Sequence, residues 1–257
     1  MSFKQKYPII TRYLTNNTNR RSGLLISPGV KFVVAHDTGN PNSTAAGNVA
    51  YYERTANDAN ASAHIFTDDK EIIECIPALT SDKPEKAWQV LYNVSKDNEL
   101  YGYDANDAAI GVEYCYGSNI NAAESYKRYV WVLAYVCYKF KLNPATAVAG
   151  HFILDPARKT DPKSGLAASG RTYEQLLKDI VSEYNSSIIT SNNLMKLIKN
   201  PSSQKIYAIG ADNKKHWIFN EESFNVGKAM ELWGDWNTIE NVGDDSYAEG
   251  HTIILIK

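Results

Sequence analysis

The sequence predicts an α/β protein with a central mixed β-sheet flanked by helices, followed by a small, mainly β C-terminal module. Short apolar runs of strand length alternate with longer segments in which apolar residues recur every three or four positions. A stretch rich in Ser and Asn at 185–193 separates this part from a tail of short β-like runs. A chain of 257 residues has room for one domain of about 180 residues and a smaller module.

The first part of the chain contains five predicted strands and three predicted helices. The strands are runs of apolar and β-branched residues at 31–36, 64–67, 72–76, 109–116 and 147–150. The helices are predicted at 44–54, 122–139 and 173–184. The segment 122–139 has the clearest pattern, because its apolar positions recur along one helix face. Pro144 cannot continue a helix and marks the turn that follows.

The composition is that of an ordinary globular protein. The hydrophobic fraction of 44% and the charged fraction of 22% argue against disorder. A formal net charge of -2 lacks the basic excess typical of nucleic-acid-binding proteins, so no nucleic-acid partner is expected. No segment approaches the run of about 20 apolar residues that spans a membrane, so no membrane insertion is expected. Cys75, Cys115 and Cys137 lie in apolar surroundings and are predicted to be buried free thiols.

Two histidines stand at the ends of predicted strands. His36 follows the apolar run 32–35 and opens a polar loop, and His151 follows another apolar run. Asp161 comes shortly after His151. Two His and one Asp would leave a tetrahedral Zn²⁺ its fourth position for water, which is the pattern of catalytic zinc sites. The alternative is that each histidine only packs in the core or on the surface, as most lone histidines do.

A third predicted strand carries a single carboxylate in an otherwise buried pattern. Glu113 stands in the run 109–116, at a position where alternation favours an apolar residue. A charge buried there needs a partner. The residues alone leave open whether that partner is Lys159 in a structural ion pair or a group at a catalytic centre.

Several ordered motifs carry a family resemblance. The chain resembles the type 2 N-acetylmuramoyl-L-alanine amidases, which are zinc hydrolases of peptidoglycan and include many phage endolysins and the autolysins of Gram-positive bacteria. The resemblance spans roughly residues 25 to 185 and rests on VAHDT at 34–38, ASAHIF at 61–66, IGVE at 110–113, GH at 150–151 and KTDP at 159–162. Its specificity comes from the order and spacing of these motifs taken together.

The resemblance implies roles for five residues. His36, His151 and Asp161 match the ligands of one Zn²⁺, with Asp161 at a position where some members have Cys. Glu113 and Lys159 match the catalytic pair. On this reading Glu113 accepts a proton from the attacking water, and Lys159 stabilises charge on the former carbonyl oxygen. The implied reaction is hydrolysis of the amide bond between N-acetylmuramic acid and L-alanine in peptidoglycan, with lysis of the host cell.

Three further residues, His64, Trp88 and Tyr51, are candidates for substrate contact. His64 alternates with apolar residues on a predicted strand, and its alternatives are a hydrogen-bond partner of the site or a packed core residue. Aromatic residues at the spacing of Tyr51 and Trp88 are also common in cores. Gln89 departs from the family pattern, because many members have His at this position after Ala-Trp.

Composition divides the chain into a predicted zinc amidase domain at 1–185, a linker at 186–203 and a cell-wall-binding module at 204–257, with an alternative module start near 194. The module contains three of the five tryptophans, Trp217, Trp233 and Trp236, which suit stacking on sugar rings. The alternative is that these aromatic residues form the core of a module too small to do without them. Self-association through the module is also plausible from its size.

The resemblance to endolysins of phages with Gram-positive hosts implies a cell-wall polymer as a partner besides peptidoglycan. The N-terminus lacks the apolar segment of a secretory signal, so synthesis in the host cytoplasm and holin-type release to the wall are expected. Two alternatives stay open. One is a metal-free peptidoglycan recognition protein, and the other is a zinc peptidase that cuts within the stem peptide.

Overall fold

The structure, a computed structural model, describes residues 2–92, 96–189, 194–230, 232–242 and 247–256. Internal contacts divide the chain into two compact units. The larger unit is Gln5–Ser186, and the smaller one combines the first four residues with the chain from Ser187 onward. Each unit has its own β-sheet and its own hydrophobic core.

The described residues form strands and helices that alternate along most of the chain. The strands are β1 (Ser2–Phe3), β2 (Ile9–Thr11), β3 (Phe32–Asp37), β4 (Ile65–Thr67), β5 (Ile72–Glu74), β6 (Ala109–Tyr114), β7 (Val148–Gly150), β8 (Ile188–Ile189), β9 (Lys196–Lys199), β10 (Ile206–Ile209), β11 (Lys214–Trp217), β12 (Glu240–Asn241) and β13 (Ala248–Glu249). The helices are α1 (Ala45–Arg54), α2 (Asp97–Tyr101), α3 (Ala105–Ala108), α4 (Ala122–Lys139), α5 (His151–Leu154), α6 (Lys163–Ala168), α7 (Tyr173–Ser187) and α8 (Glu221–Ala229), with a 3₁₀ turn at Trp236–Thr238. Each strand and helix predicted from the apolar pattern has a counterpart among them.

The larger unit is built on a six-stranded mixed sheet. The strand order is β2-β5-β4-β6-β3-β7, in which β4 and β5 are antiparallel and every other neighbouring pair is parallel. All residues of β3 and nearly all residues of β6 are buried, as expected for central strands of a sheet covered on both faces. Helices pack against these strands. The mixed sheet with flanking helices confirms the predicted fold class.

Helix α4 covers the centre of this sheet. The side chain of Asn121 caps its first turn, and the predicted apolar face is buried, with Leu133 and Val136 fully inaccessible to solvent. The hydroxyl of Tyr129 donates a hydrogen bond of 2.9 Å to the backbone oxygen of His36. The helix is therefore bonded directly to the end of β3.

Parallel pairing brings the carboxyl ends of β3, β6 and β7 together. His36 lies in register beside Glu113, and Ala35 lies in register beside Gly150, the last residue of β7. Helix α5 begins at the next residue, His151. Because residues in register on neighbouring parallel strands direct their side chains to the same face, His36 and Glu113 share one face of the sheet.

The smaller unit contains a five-stranded sheet of order β12-β9-β10-β11-β13 and the helix α8. Its core consists of the buried residues Leu197, Ala208, Ile218, Phe224 and Trp233. The strands β1 and β8 form a separate antiparallel pair. This content agrees with the predicted small, mainly β module.

The linker predicted at 186–203 differs from the structure. Lys196–Lys199, inside that range, forms β9 and pairs antiparallel with β10. The five-stranded sheet therefore begins before residue 204 and closer to the alternative start near 194. Only two residues of this short strand are buried, which is too few to show a period in the sequence. Residues 190–193 of the predicted linker lie outside the described residues.

None of the helices in the described part of the chain has the length and apolar content that crossing a membrane requires. The three cysteines are free and buried, as predicted. Burial raises the pKa of each thiol, so none is activated as a nucleophile.

Candidate metal centre and active site

The three residues predicted as metal ligands meet at the carboxyl ends of β3 and β7. The Nδ1 atoms of His36 and His151 lie 2.9 and 3.2 Å from the same oxygen, Oδ2 of Asp161. The centroids of the two imidazole rings are 4.8 Å apart, and the ring planes cross at 83°. One ligand atom from each residue lies within 4.8 Å of the other two. The three side chains are therefore close enough for one metal ion to contact all of them.

Local structure holds each of the three side chains. His36 belongs to β3, a strand buried along its whole length, and His151 belongs to the first turn of α5. Asp161 lies on the segment between α5 and α6, which folds back so that the backbone nitrogen of Phe152 donates to the Asp161 carbonyl oxygen at 3.0 Å. The loop residue is therefore bonded to the helix that carries His151.

The donor set fits a divalent metal ion. In a neutral imidazole one ring nitrogen donates and the other accepts. Nε2 of His36 faces Oε1 of Gln89 at 3.3 Å, which leaves Nδ1 of His36 as a lone pair beside the Asp161 carboxylate. Nε2 of His151 is buried and has no hydrogen-bond partner among the described residues. A buried imidazole nitrogen without a partner and a histidine lone pair beside a carboxylate are both compensated by a bound cation, and two imidazoles with one carboxylate suit a Zn²⁺ that keeps one position open.

The charges at this centre shift the pKa values of its groups. Burial opposes ionisation of Asp161, but the hydrogen bonds that His151 and His36 donate when their rings are protonated outweigh it and hold the Asp161 pKa well below its usual range. Burial lowers the pKa of His36, but Asp161 and Glu113 outweigh it, so the net shift is upward. For His151 burial prevails and the pKa is lowered, which favours the neutral form that binds metals.

Glu113 lies beside this centre on β6. The residue is half-buried, but its Oε2 atom is out of contact with solvent and has no hydrogen-bond partner among the described residues. Burial raises the pKa of Glu113 to about 8, although the neighbouring His36 acts in the opposite direction. A carboxyl group that titrates near neutral pH is suited to accept and return a proton.

Lys159 lines the same cavity, which has a volume of about 380 Å³ and also reaches Glu113 and the three candidate ligands. Its positive charge lowers the pKa of Glu113 without a direct bond, since no ion pair within 4.0 Å joins the two among the described residues. The neighbouring Arg158 is bound instead to Asp155. A structural ion pair between Glu113 and Lys159 is therefore not the arrangement found.

Trp88 and Tyr51, two of the predicted substrate contacts, are accessible from the solvent side. Trp88 is half-buried and lines the cavity that contains the candidate ligands. Tyr51 is exposed and lines an adjoining cavity of about 520 Å³. The two cavities share Tyr52 and Glu113 among their lining residues, so Trp88 and Tyr51 border adjoining parts of one depression.

The structure places His64, the third predicted substrate contact, in the core and not at the cavity. Its side chain is fully buried, and both ring nitrogens are bonded inside the protein. Nε2 lies 2.8 Å from the backbone oxygen of Glu85, and Nδ1 accepts from the backbone nitrogen of Gly111 at 2.9 Å. His64 therefore bonds to the backbone of β6 and does not line the cavity. This is the packed alternative that its alternation with apolar residues left open.

Two residues that sequence reasoning did not assign to the site hold its parts together. Gln89, noted in the sequence only as a departure from the family pattern, faces the ring of His36. Asp37 accepts hydrogen bonds from the backbone nitrogen of Gly165 at 2.7 Å and from the hydroxyl of Ser164 at 3.1 Å, which ties α6 to β3. The only feature of the sequence that could have assigned Asp37 to the site is its position directly after His36.

The three tryptophans predicted to bind the wall separate into two groups. Trp233 is 2% exposed, and its indole nitrogen donates to the backbone oxygen of Phe224 at 3.0 Å, so it belongs to the core and the prediction for it is wrong. Trp236 is 44% exposed and stacks on Phe224 with a centroid distance of 3.8 Å. Trp217 is half-buried and lines, with Trp236, a cavity of about 280 Å³.

A family model described as N-acetylmuramoyl-L-alanine amidase matches residues 27–164 of the chain. This range contains the three candidate ligands together with Glu113 and Lys159. By sequence, the chain matches none of the curated proteins.

Solved structures share the fold of the larger unit. The catalytic domain of XlyA has a TM-score of 0.53 at 22% identity, over 67% of this chain and 99% of that domain. A mutant endolysin from Bacillus subtilis gives a TM-score of 0.52 at 21% identity, over 68% and 99%. The Staphylococcus aureus hydrolase AmiA, solved in complex with its ligand, gives 0.54 at 24% identity, over 70% and 84%. At these identities the likeness establishes the fold.

The substitution His64→Gln tests the structural role of this histidine. Burial lowers the pKa of His64 from 6.5 to about 4, so the unfolded chain binds a proton more readily than the folded chain between these two pH values. His64 therefore contributes stability above its unfolded pKa that is lost as the pH falls through this window, by about 3 kcal/mol. Gln offers a donor nitrogen and an acceptor oxygen in place of the two ring nitrogens, and it does not titrate.

We expect the free energy of unfolding of the larger unit, measured by urea denaturation with a chelator present, to fall less in His64→Gln than in the wild type when the pH drops from about 7 to about 4.5. An equal fall in both proteins would show that His64 is not held neutral by burial.

Proposed function

The chain belongs to the N-acetylmuramoyl-L-alanine amidase family and is a peptidoglycan amidase, and we propose that it works through a zinc ion held by His36, His151 and Asp161. The bond cleaved joins the lactyl group of N-acetylmuramic acid to L-alanine. The observation that carries the zinc proposal is the convergence of two imidazole nitrogens on one Asp161 oxygen, near a Glu113 oxygen that has no hydrogen-bond partner among the described residues. These four residues line the same cavity.

The protein groups divide the chemistry between them. His36, His151 and Asp161 would hold the zinc ion, which would supply Lewis-acid chemistry: a lower pKa for the attacking water and a polarised amide carbonyl. Glu113 accepts the proton of the attacking water on its unpartnered Oε2, and then returns that proton to the leaving amine of L-alanine. Lys159 stabilises the negative charge that develops on the former carbonyl oxygen, because this residue lines the same cavity and is not paired with Glu113.

The substrate is proposed to lie along the two cavities that meet at Tyr52 and Glu113. Trp88 on one side and Tyr51 on the other offer aromatic surface to the glycan and the peptide. A recognition protein without catalysis is the weaker alternative, since the ligand set and the proton acceptor are both present. A peptidase that cuts within the stem peptide differs in the chain ends it releases, which the first experiment below distinguishes.

We further propose that the chain is a phage endolysin whose smaller unit binds a wall polymer of a Gram-positive host and which acts on the wall after release from the cytoplasm. The fold shared with endolysin catalytic domains supports the first part. The partly exposed Trp217 and Trp236 along one cavity support the second, because aromatic faces stack on sugar rings. Exposed Ile254 and Ile256 offer surface for self-association of this unit.

Glu113→Gln tests the catalytic assignment. Gln keeps the shape of the side chain but cannot accept the proton, so we expect kcat to fall by roughly a hundredfold or more while the zinc content stays at about one per chain. The measurement is the release of new N-termini from purified cell walls, together with metal analysis of both proteins. Glu99→Gln, at an exposed position of α2, is the matched control.

Wild-type activity in Glu113→Gln would refute proton transfer by this residue. New N-termini other than L-alanine would show that the chain cuts as a peptidase. Full activity of the wild-type chain without zinc would refute the role of the metal.

Trp217→Ala and Trp236→Ala test the wall-binding role. In a Glu113→Gln background that does not cut the wall, we expect each to weaken binding to purified walls roughly tenfold, which corresponds to a loss of about 1.4 kcal/mol. Met230→Ala removes an exposed apolar side chain that does not line this cavity and serves as the control. Binding curves for the tryptophan variants that coincide with the control would exclude this surface as the wall-binding site.

A further inference from the structure

We propose that Gln89 is a positioning residue that fixes the ring tautomer of His36 and thereby presets this histidine as a metal ligand. The inference rests on the proposed function, because it concerns the same metal centre. It assigns a role to the residue at which this chain departs from the Ala-Trp-His pattern of many family members.

The orientation of the Gln89 amide is determined by two backbone carbonyl groups. Its Nε2 donates to the oxygen of Ala105 at 3.1 Å and to the oxygen of Ala109 at 2.9 Å. Both partners can only accept, so the amide nitrogen must face them. The amide oxygen is therefore directed the other way, toward Nε2 of His36 at 3.3 Å. Because Gln89 is buried, water does not compete for these bonds.

The backbone that carries Gln89 is also held. The side-chain oxygen of Asn106 on α3 accepts from the backbone nitrogens of Gln89 at 2.7 Å and of Val90 at 3.0 Å. The amide nitrogen of the same Asn106 donates to the backbone oxygen of Val90 at 2.9 Å. Asn106 thus satisfies the backbone groups of Gln89 and Val90, as a neighbouring strand would, and fixes the position of the Gln89 backbone.

Gly111 provides the space that the Gln89 amide occupies. It lies in register beside Val34 on β3, two residues before Glu113 on the same face of the sheet. A Cβ atom at Gly111 would lie 2.1 Å from Oε1 of Gln89 and 3.5 Å from Cδ2 of His36. The φ angle of Gly111 lies outside the left-handed region, so the glycine is required here by space and not by backbone conformation. Alanine at this position would displace the Gln89 oxygen without removing it.

The consequence for His36 follows from the neutral imidazole having one donor nitrogen and one acceptor nitrogen. An amide oxygen only accepts, so Nε2 of His36 must carry the hydrogen, and the lone pair of the neutral ring is confined to Nδ1. That atom faces Asp161. His151 has no such partner, since its Nε2 is unbonded among the described residues. Gln89 therefore selects the ligand atom of one histidine before a metal arrives, as outer partners of metal-binding histidines do.

The test compares zinc binding by the full chain and by two variants that disturb this contact in different ways. Gln89→Met keeps the length of the side chain and removes its hydrogen bonds, and Gly111→Ala keeps Gln89 but displaces its oxygen. Gln175→Ala, which removes an exposed amide on α7, is the control. Zinc affinity is measured by competition with a chromophoric chelator, and kcat and KM for purified walls are measured at saturating zinc.

We expect both variants to bind zinc roughly 10- to 100-fold more weakly than the wild type, with kcat recovered to within a few-fold at saturating zinc and KM unchanged. The control should bind zinc as the wild type does. A residue needed only for folding would lower the amount of native protein and leave the affinity of the remaining native chains unchanged, which is the result that would overturn the proposal. Equal loss in the control would overturn it as well.

A second measurement needs no variant. In the zinc-free wild-type chain with ¹⁵N-labelled histidine, at a pH where His36 is neutral, the ring spectrum of His36 should show a hydrogen on Nε2 and none on Nδ1. A hydrogen on Nδ1 would refute the role of Gln89 even if the two variants failed to fold. A wild-type chain that takes up no zinc would instead refute the proposed function, so failure of the metal centre and failure of the Gln89 inference give different results.

Discussion

The parallel pairing of β3 with β6 on one side and with β7 on the other is the constraint on which the site depends. It sets His36 beside Glu113 and Ala35 beside Gly150, so the residue after β7, His151, emerges next to His36. The three strands are far apart in sequence, and only their register brings His36, Glu113 and His151 together. A shift of one residue in that register would turn His36 to the opposite face of the sheet and dissolve the centre.

Burial gives this geometry its chemical character. Three groups that prefer water, His36, His151 and Asp161, are held together at the end of the sheet, where their lone pairs meet and a cation offsets the cost of desolvation. Glu113 remains outside this set, with an oxygen that has no hydrogen-bond partner in the described part of the chain, and burial raises its pKa toward neutrality. The candidate metal ligands and the proposed proton acceptor thus share one buried environment and differ in the partners that each carboxyl group has.

The sequence predicted much of this arrangement because the relevant signals are local. Strand-length apolar runs that end in His36 and His151 placed both histidines at strand ends, and the spacing of the motifs identified the remaining groups. The tertiary partners of buried side chains leave no such signal. The sequence suggested both His64 and Trp233 as contact residues, but each is buried in a core and forms hydrogen bonds with backbone groups. The contact of Gln89 with His36 depends on the absent side chain at Gly111, far away in sequence. Helices α5 and α6 are too short to show a period.

The most direct test of the account is the location of zinc in the crystal. Diffraction from crystals of the full chain, recorded on both sides of the zinc absorption edge, should show one anomalous peak in the larger unit, at about 2.0–2.2 Å from Nδ1 of His36, Nδ1 of His151 and a carboxylate oxygen of Asp161. A peak bonded to the Nε2 atoms, a peak at another place, or no peak at saturating zinc would contradict the assignment of this centre.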